Sequence, residues 1–141
     1  MSNQNKATAR RIFEEMETQG NLNAADEVFS SDFVGHMPMG DMRGPASIKG
    51  FITSLRTGFP DLRSTVEDQV AEDDRVMTRF RATGTHQGEF MGVPASGNPM
   101  DISGIIVSRF ANGKIVEQWG IPDLLSLMQQ IGAVPSPAQS R

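Results

Sequence analysis

The run Ile102-Ser-Gly-Ile-Ile-Val-Ser-Arg-Phe110, then Ala111-Asn-Gly-Lys114, then Ile115-Val-Glu-Gln-Trp-Gly-Ile-Pro-Asp123, decides how this chain is built. Two stretches rich in β-branched and aromatic residues flank Asn112-Gly113. That pair is the strongest short-range sign of a two-residue type I′ hairpin, because both residues tolerate positive φ. Pro122 ends the second strand, Asp123 opens a short apolar helix from Leu124, and Gly132 stops it. Side chains alternate along a strand, so counting by two from Ile115 places Ile115, Glu117, Trp119, Ile121 and Asp123 on one face. Two carboxylates on a face otherwise made of Ile and Trp need a physical reason.

Upstream of the hairpin the pattern is also of strands. Val76, Thr78, Phe80, Ala82, Gly84 and His86 share one face of a strand, with Met77, Arg79, Arg81, Thr83 and Thr85 on the other. Before it, Leu62, Ser64, Val66, Asp68 and Val70 share a face, and Glu72-Asp-Asp-Arg75 turns between the two strands. The segment from Gln87 to Asn98, with Phe90, Met91, Val93 and Pro94, is a loop. Earlier still the period is helical. Ala9, Ile12, Phe13 and Met16 stripe a helix from Asn5 to Gln19, ended by Gly20. Leu22, Ala25, Val28 and Phe29 stripe a second, short one from Leu22 to Phe29, which Asn21 or Asn23 could cap. Phe33 to Pro38 is extended, Met39 to Gly44 a loop, and a third helix runs from Pro45 to Gly58. Helices followed by an antiparallel meander predict an α+β fold: three helices on one curved, mostly antiparallel sheet, a cone enclosing a pocket at its open end.

Composition removes several classes of function. The 141 residues suit one domain, 1–141, with an irregular tail from 132 to 141. With 38% hydrophobic and 21% charged residues the composition is that of a globular protein. There is no cysteine, hence no thiol chemistry or cysteine zinc site. No apolar run approaches the roughly 20 residues of a membrane span, and Met1-Ser-Asn-Gln-Asn-Lys6 lacks a signal-peptide pattern, so a cytoplasmic location is expected. The net charge is −4 and the basic residues are scattered apart from Arg10-Arg11, which argues against nucleic acid. Gly-x-Ser-x-Gly, Walker and dinucleotide motifs are all missing.

The residues left to carry chemistry are few. Asp123, at the mouth of a helix, reads equally as an N-cap worth about 1 kcal/mol and as an acid/base. The face it shares with Glu117 and Trp119 favours the second, since apolar surroundings raise a carboxyl pKa toward neutrality. Glu117 points inward if Trp119 does, unless a bulge slips the parity. His36 alternates with Val34 in the extended segment and suits a pocket role, whereas His86, beside a glycine-rich loop, is more simply exposed. No two histidines have metal-ligand spacing, so no metal is expected. Met37, Met39, Met42, Met91 and Met100 read as core and loop filler, or as the lining of an adaptable apolar pocket.

Asp32-Phe-Val-x-His36, Gly44-Pro-x-x-Ile48, Phe59-Pro-Asp61, Gly84-Thr-His-x-Gly-Glu-Phe90 and Asn112-Gly-Lys-Ile-Val-Glu-x-Trp-x-x-x-Asp123-x-x-x-Leu127 together resemble the SnoaL-like polyketide cyclases and ester cyclases. These belong to the nuclear-transport-factor-2-like, cystatin-like superfamily, and the resemblance reaches from the first helix to Gly132. It implies the cone fold and a cofactor-free, aldol-type ring closure on a polyketide-like carbonyl compound. Asp123 would then be the acid/base and His36 its partner or a substrate contact. Trp119, Glu117, His86, Phe33, Phe51, Phe80 and Met91 would surround the substrate. The resemblance further implies a homodimer or homotetramer through the outward strand face bearing Thr83, Val107, Val116 and Gln118. The same pocket would also serve a non-catalytic binding module, or a related hydroxylase or isomerase.

Overall fold

Asn112 and Gly113 adopt φ of 53° and 78°, both positive as a type I′ turn demands, and join strand β5 (Pro99–Ala111) to β6 (Lys114–Pro122). The computed structural model describes residues 2–135. Around the hairpin, β4 (Arg75–Thr85) pairs antiparallel with β5, and β3 (Arg63–Glu72) with β4. On the other side of β6 lies β1 (Phe29–Met37), parallel to it, and β2 (Gly40–Arg43) closes the edge of the six-stranded sheet. The resulting order is β2-β1-β6-β5-β4-β3, mixed by one parallel pair.

Helix α1 (Ser2–Arg11) runs into wider π-helical turns over Ile12–Thr18. A 3-10 turn at Leu22–Ala24 leads into the single turn of α2 (Ala25–Val28). The second helix therefore stops one residue short of Phe29, which begins β1 instead. The stretch from Met39 to Gly44, expected as a loop, is mostly β2. Helix α3 (Gly44–Gly58) carries Pro45 in its first turn, and α4 (Leu124–Gln130) follows β6. Of the tail expected at 132–141, residues 132–135 lie past the end of α4 in turn and irregular backbone, with the Ala133 N–H on the Met128 carbonyl, and 136–141 lie outside the described residues. No described helix is long and apolar enough to cross a membrane.

The helices cover one face of the curved sheet, and a single apolar cluster fills the space between. Phe13 stacks on Phe80 with ring centroids 5.1 Å apart, and Phe29 meets Phe33 edge-on at 4.7 Å. Strand β4 sends Val76, Thr78, Phe80 and Ala82 inward, as its alternation predicts. Two other strands depart from theirs, each at a bulge. Register slips between Val66 and Asp68 in β3, which turns Val70 out to solvent, and between Ile115 and Glu117 in β6.

Candidate active site

The bulge in β6 decides which side chains see the interior. Ile115 is in the core, but Glu117, Trp119 and Ile121 fall on the outer face, with Ile121 73% exposed, and Gln118, Gly120 and Pro122 face the helices. The single-face reading of Ile115, Glu117, Trp119, Ile121 and Asp123 is thus corrected by one inserted residue. Gln118, expected on an outward, subunit-pairing face, is 2% exposed on the inner one.

Between the inner face, α3, α4 and the π-helical segment lies a cavity of about 100 Å3. Ile12, Phe29, Ile48, Ile52, Leu55, Phe80, Phe90 and Ile102 line it. Met37, Met39, Met42, Met100, Phe51 and Leu124 are also part of its wall. Four of the five methionines picked out in the sequence therefore lie on this wall, where their flexible thioethers let it adapt. Gly104 shapes the wall by absence, since a Cβ there would come within 2.6 Å of the Phe80 ring. Among the lining residues only Glu17 and Gln118 are polar, and none is Lys, Arg or His.

Glu17 was not singled out in the sequence. It is 8% exposed, and its Oε1 accepts a 2.6 Å hydrogen bond from the Ser64 hydroxyl of β3. Burial pushes its carboxyl up to about 7, the Ser64 bond pulling the other way. A signal was present: the stripe Ala9, Phe13, Met16 continues one turn on at Glu17, four residues after Phe13. The surrounding backbone is held firmly. Arg56 donates to the Glu17 and Thr18 carbonyls at 2.6 and 3.0 Å, and the Thr18 hydroxyl accepts from the Ser64 N–H at 3.0 Å. Gln118 donates to the Ser108 hydroxyl at 3.0 Å, and no other side-chain partner engages its amide among the described residues.

The expected site residues scatter. Phe51 and Phe80 line the cavity. Phe33 is buried beneath it in the core and does not reach the lining, and Met91 stands 48% exposed at the tip of a turn whose neighbour, Phe90, reaches the cavity instead. His86 is fully buried, because the loop after it folds back. The Ser96 N–H donates to its Nδ1 at 3.2 Å, its ring lies 5.4 Å from that of Phe59, and its Nε2 has no partner among the described residues. It does not touch the cavity. Asp123 is exposed and caps α4: its Oδ1 accepts from the Ser126 N–H at 3.0 Å, while its neighbours Pro122 and Leu124, not Asp123, line the cavity.

His36 lies on the outer face. Its Nε2 is 2.7 Å from Glu117 Oε2, its Nδ1 3.3 Å from Asp41, and its ring stacks on Trp119 at 5.7 Å. Arg109 donates to the other oxygen of Glu117 at 3.0 Å, and the Arg75 guanidinium sits 5.5 Å over the Trp119 ring. The hydrogen bond to Glu117 raises the imidazole pKa, with help from Asp41. The same bond, then that from Arg109, lowers the Glu117 carboxyl. Glu117, Trp119 and His36 thus form a charged cluster behind the sheet rather than a pocket lining. Among the described residues, no three acidic or imidazole side chains gather so as to hold a metal ion.

Residues 7–131 match the model of the SnoaL-like polyketide cyclases. The aklanonic acid methyl ester cyclase DnrD of Streptomyces peucetius is 28% identical over 93 residues, spanning 65% of this chain and 64% of that protein, slightly under two thirds of each. Among solved structures, a protein of Jannaschia sp. CCS1 classed as a SnoaL-like polyketide cyclase superposes with a TM-score of 0.86, at 31% identity over 95% of both chains. IdmH of Streptomyces antibioticus, classed as a polyketide cyclase, does so with a TM-score of 0.79, at 35% identity over 92% of this chain and 99% of its own.

Proposed function

The chain belongs to the SnoaL-like polyketide cyclase family, and we propose that it closes a ring on a neutral, polyketide-like carbonyl compound by cofactor-free proton transfer. The observation carrying this reading is the cavity: a concave apolar chamber with two polar side chains, Glu17 and Gln118, set among hydrocarbon and thioether. A chamber with no Lys, Arg or His has nothing to pair with a substrate carboxylate, so a neutral ligand fits it. The flexible methionine side chains of the lining can adapt to the shape of such a substrate.

The reaction needs a C–H between carbonyls and a second carbonyl within reach. Loss of the proton leaves an enolate, whose carbon attacks the second carbonyl and pushes electrons onto its oxygen. Protonation of that alkoxide completes the ring, and no atom is gained or lost. The Gln118 amide, with one N–H that has no partner among the described residues, can donate to an oxygen as its charge grows, the usual role of a preorganised donor. Asp123 and His36, placed outside the chamber, are not assigned a step.

Aklanonic acid methyl ester, the compound that names the Streptomyces peucetius relative, is the first substrate to try, beside shorter aryl polyketones. Conversion to a cyclised product of unchanged mass supports the reading. Tight binding of these compounds with no conversion overturns it in favour of a binding module. The expected homodimer or homotetramer remains part of the proposal. It is supported by the outer face, where Ile105 and Ile121 sit side by side and exposed across β5 and β6, and sedimentation measures it.

A further inference from the structure

We propose that the proton-transferring group of the chamber is Glu17, carried on the first helical segment, with Ser64 as its positioning residue. The assignment rests on the cyclase reading above but on separate observations. Among the described residues, Glu17 is the sole ionisable side chain lining the cavity. The Ser64 hydroxyl occupies Oε1, which leaves Oε2 without a protein partner among the described residues.

The carboxyl is also locked in place. It hangs from π-helical turns, a backbone irregularity that recurs at functional sites. Arg56 grips the two carbonyls at and after it, and Thr18 ties the same turn to the backbone of Ser64. One framework therefore fixes both the acid and the hydroxyl that orients it, as a preorganised site requires. The Arg56 guanidinium is engaged by these two backbone carbonyls and makes no hydrogen bond to the carboxyl, and a buried carboxylate without a paired cation would ordinarily be a fault in a core. Here its burial brings the carboxyl to about 7, where each form is populated and one group can take a proton and return it.

The step is balanced. Glu17 as carboxylate takes the proton of an activated C–H, and the bond pair stays on carbon as the enolate. After the new C–C bond forms, Glu17 as carboxylic acid gives that proton to the alkoxide. Glu17 ends as it began.

Hydrogen–deuterium exchange tests the first half without needing ring closure. The probe is 2-tetralone, a neutral bicyclic ketone with a benzylic C–H beside its carbonyl, followed by NMR in deuterated buffer. The wild type is expected to accelerate exchange, with a rate rising through a midpoint near 7. Glu17→Gln is expected to lower the protein-catalysed rate at least about 100-fold while binding 2-tetralone within a few-fold of wild type. Asp123→Asn should exchange at the wild-type rate. Ser64→Ala keeps Glu17 and the fold, and moves the midpoint upward, because the lost bond favours the charged carboxylate; a role in packing alone would not move it. No acceleration by wild type, or equal rates in wild type and Glu17→Gln, overturns the assignment. Acceleration without any ring closure upholds Glu17 as a base and sinks the cyclase reading instead.

Discussion

Two glutamates on opposite sides of one sheet show how far surroundings alone can separate identical side chains. Glu117 lies on the outer face between His36 and Arg109, and these two donors hold its carboxyl below the ordinary range. Glu17 lies under the inner face with one neutral donor, Ser64, and burial lifts it to about 7. The first is a committed anion at neutral pH, the second a group that can exchange a proton there. By charge partners alone Glu117, next to a histidine and a tryptophan, looks the more catalytic. By access to the chamber only Glu17 qualifies. A site is thus better recognised by what a titratable group lacks than by how many partners it has.

The largest break of this comparison comes from removing the inner charge. Because the folded Glu17 keeps a proton that the unfolded chain releases, stability contributed at that site is fully present below about 4.5 and declines as pH rises to about 7. Glu17→Gln never ionises, so it should gain roughly 3 kcal/mol over wild type at pH 8 and almost nothing at pH 4. Denaturant titrations at the two pH values read this directly. A variant no more stable than wild type at pH 8 would mean that Glu17 is not charged in an apolar place, and the contrast with Glu117 would collapse. A gain in stability joined to a loss of exchange is the trade expected where a strained group does the chemistry.

A smaller effect is expected at Asp123, the carboxylate that the sequence pattern put forward. Its Oδ1 on the Ser126 N–H is worth about 1 kcal/mol as an N-cap. Asp123→Ala should cost that much in thermal or denaturant unfolding and leave proton exchange in the chamber unchanged. A large drop in exchange with little loss of stability would return the catalytic role to the end of β6.

The reason Asp123 and Glu117 stood out, and Glu17 did not, lies in the period of the strands. On β4 no register slip occurs, and Val76, Thr78, Phe80 and Ala82 point inward as alternation says. On β6 one extra residue between Ile115 and Glu117 inverts every later side chain, and on β3 another between Val66 and Asp68 does the same to Val70. Bulges are one-residue events that leave the local pattern intact, so alternation cannot show them. The hairpin, the third helix and the helix-on-sheet architecture were legible because each rests on local turn or cap chemistry or on a long period. The site was not. Its carboxyl sits at the next turn of an apolar stripe whose last hydrophobic residue is Met16, and its hydroxyl partner lies 47 residues away on β3.

The mildest test falls on the outer cluster, where charges are half-solvated and screened. Glu117 raises the His36 imidazole pKa, so the folded state holds a proton that an unfolded histidine begins to lose near 6.5. The stabilisation is fully present below that value and fades as pH climbs through the raised folded pKa. Glu117→Gln should move the His36 NMR titration back toward 6.5, with Asp41 keeping part of the rise, and flatten the stability–pH curve above 6.5. It should also leave the chamber alone: 2-tetralone should bind and exchange as in wild type, since the sheet stands between Glu117 and Glu17. Were the exchange midpoint to shift with Glu117→Gln, the two carboxyls would be electrostatically coupled through the sheet. The outer histidine would then be a tuner of the inner acid rather than a separate surface cluster.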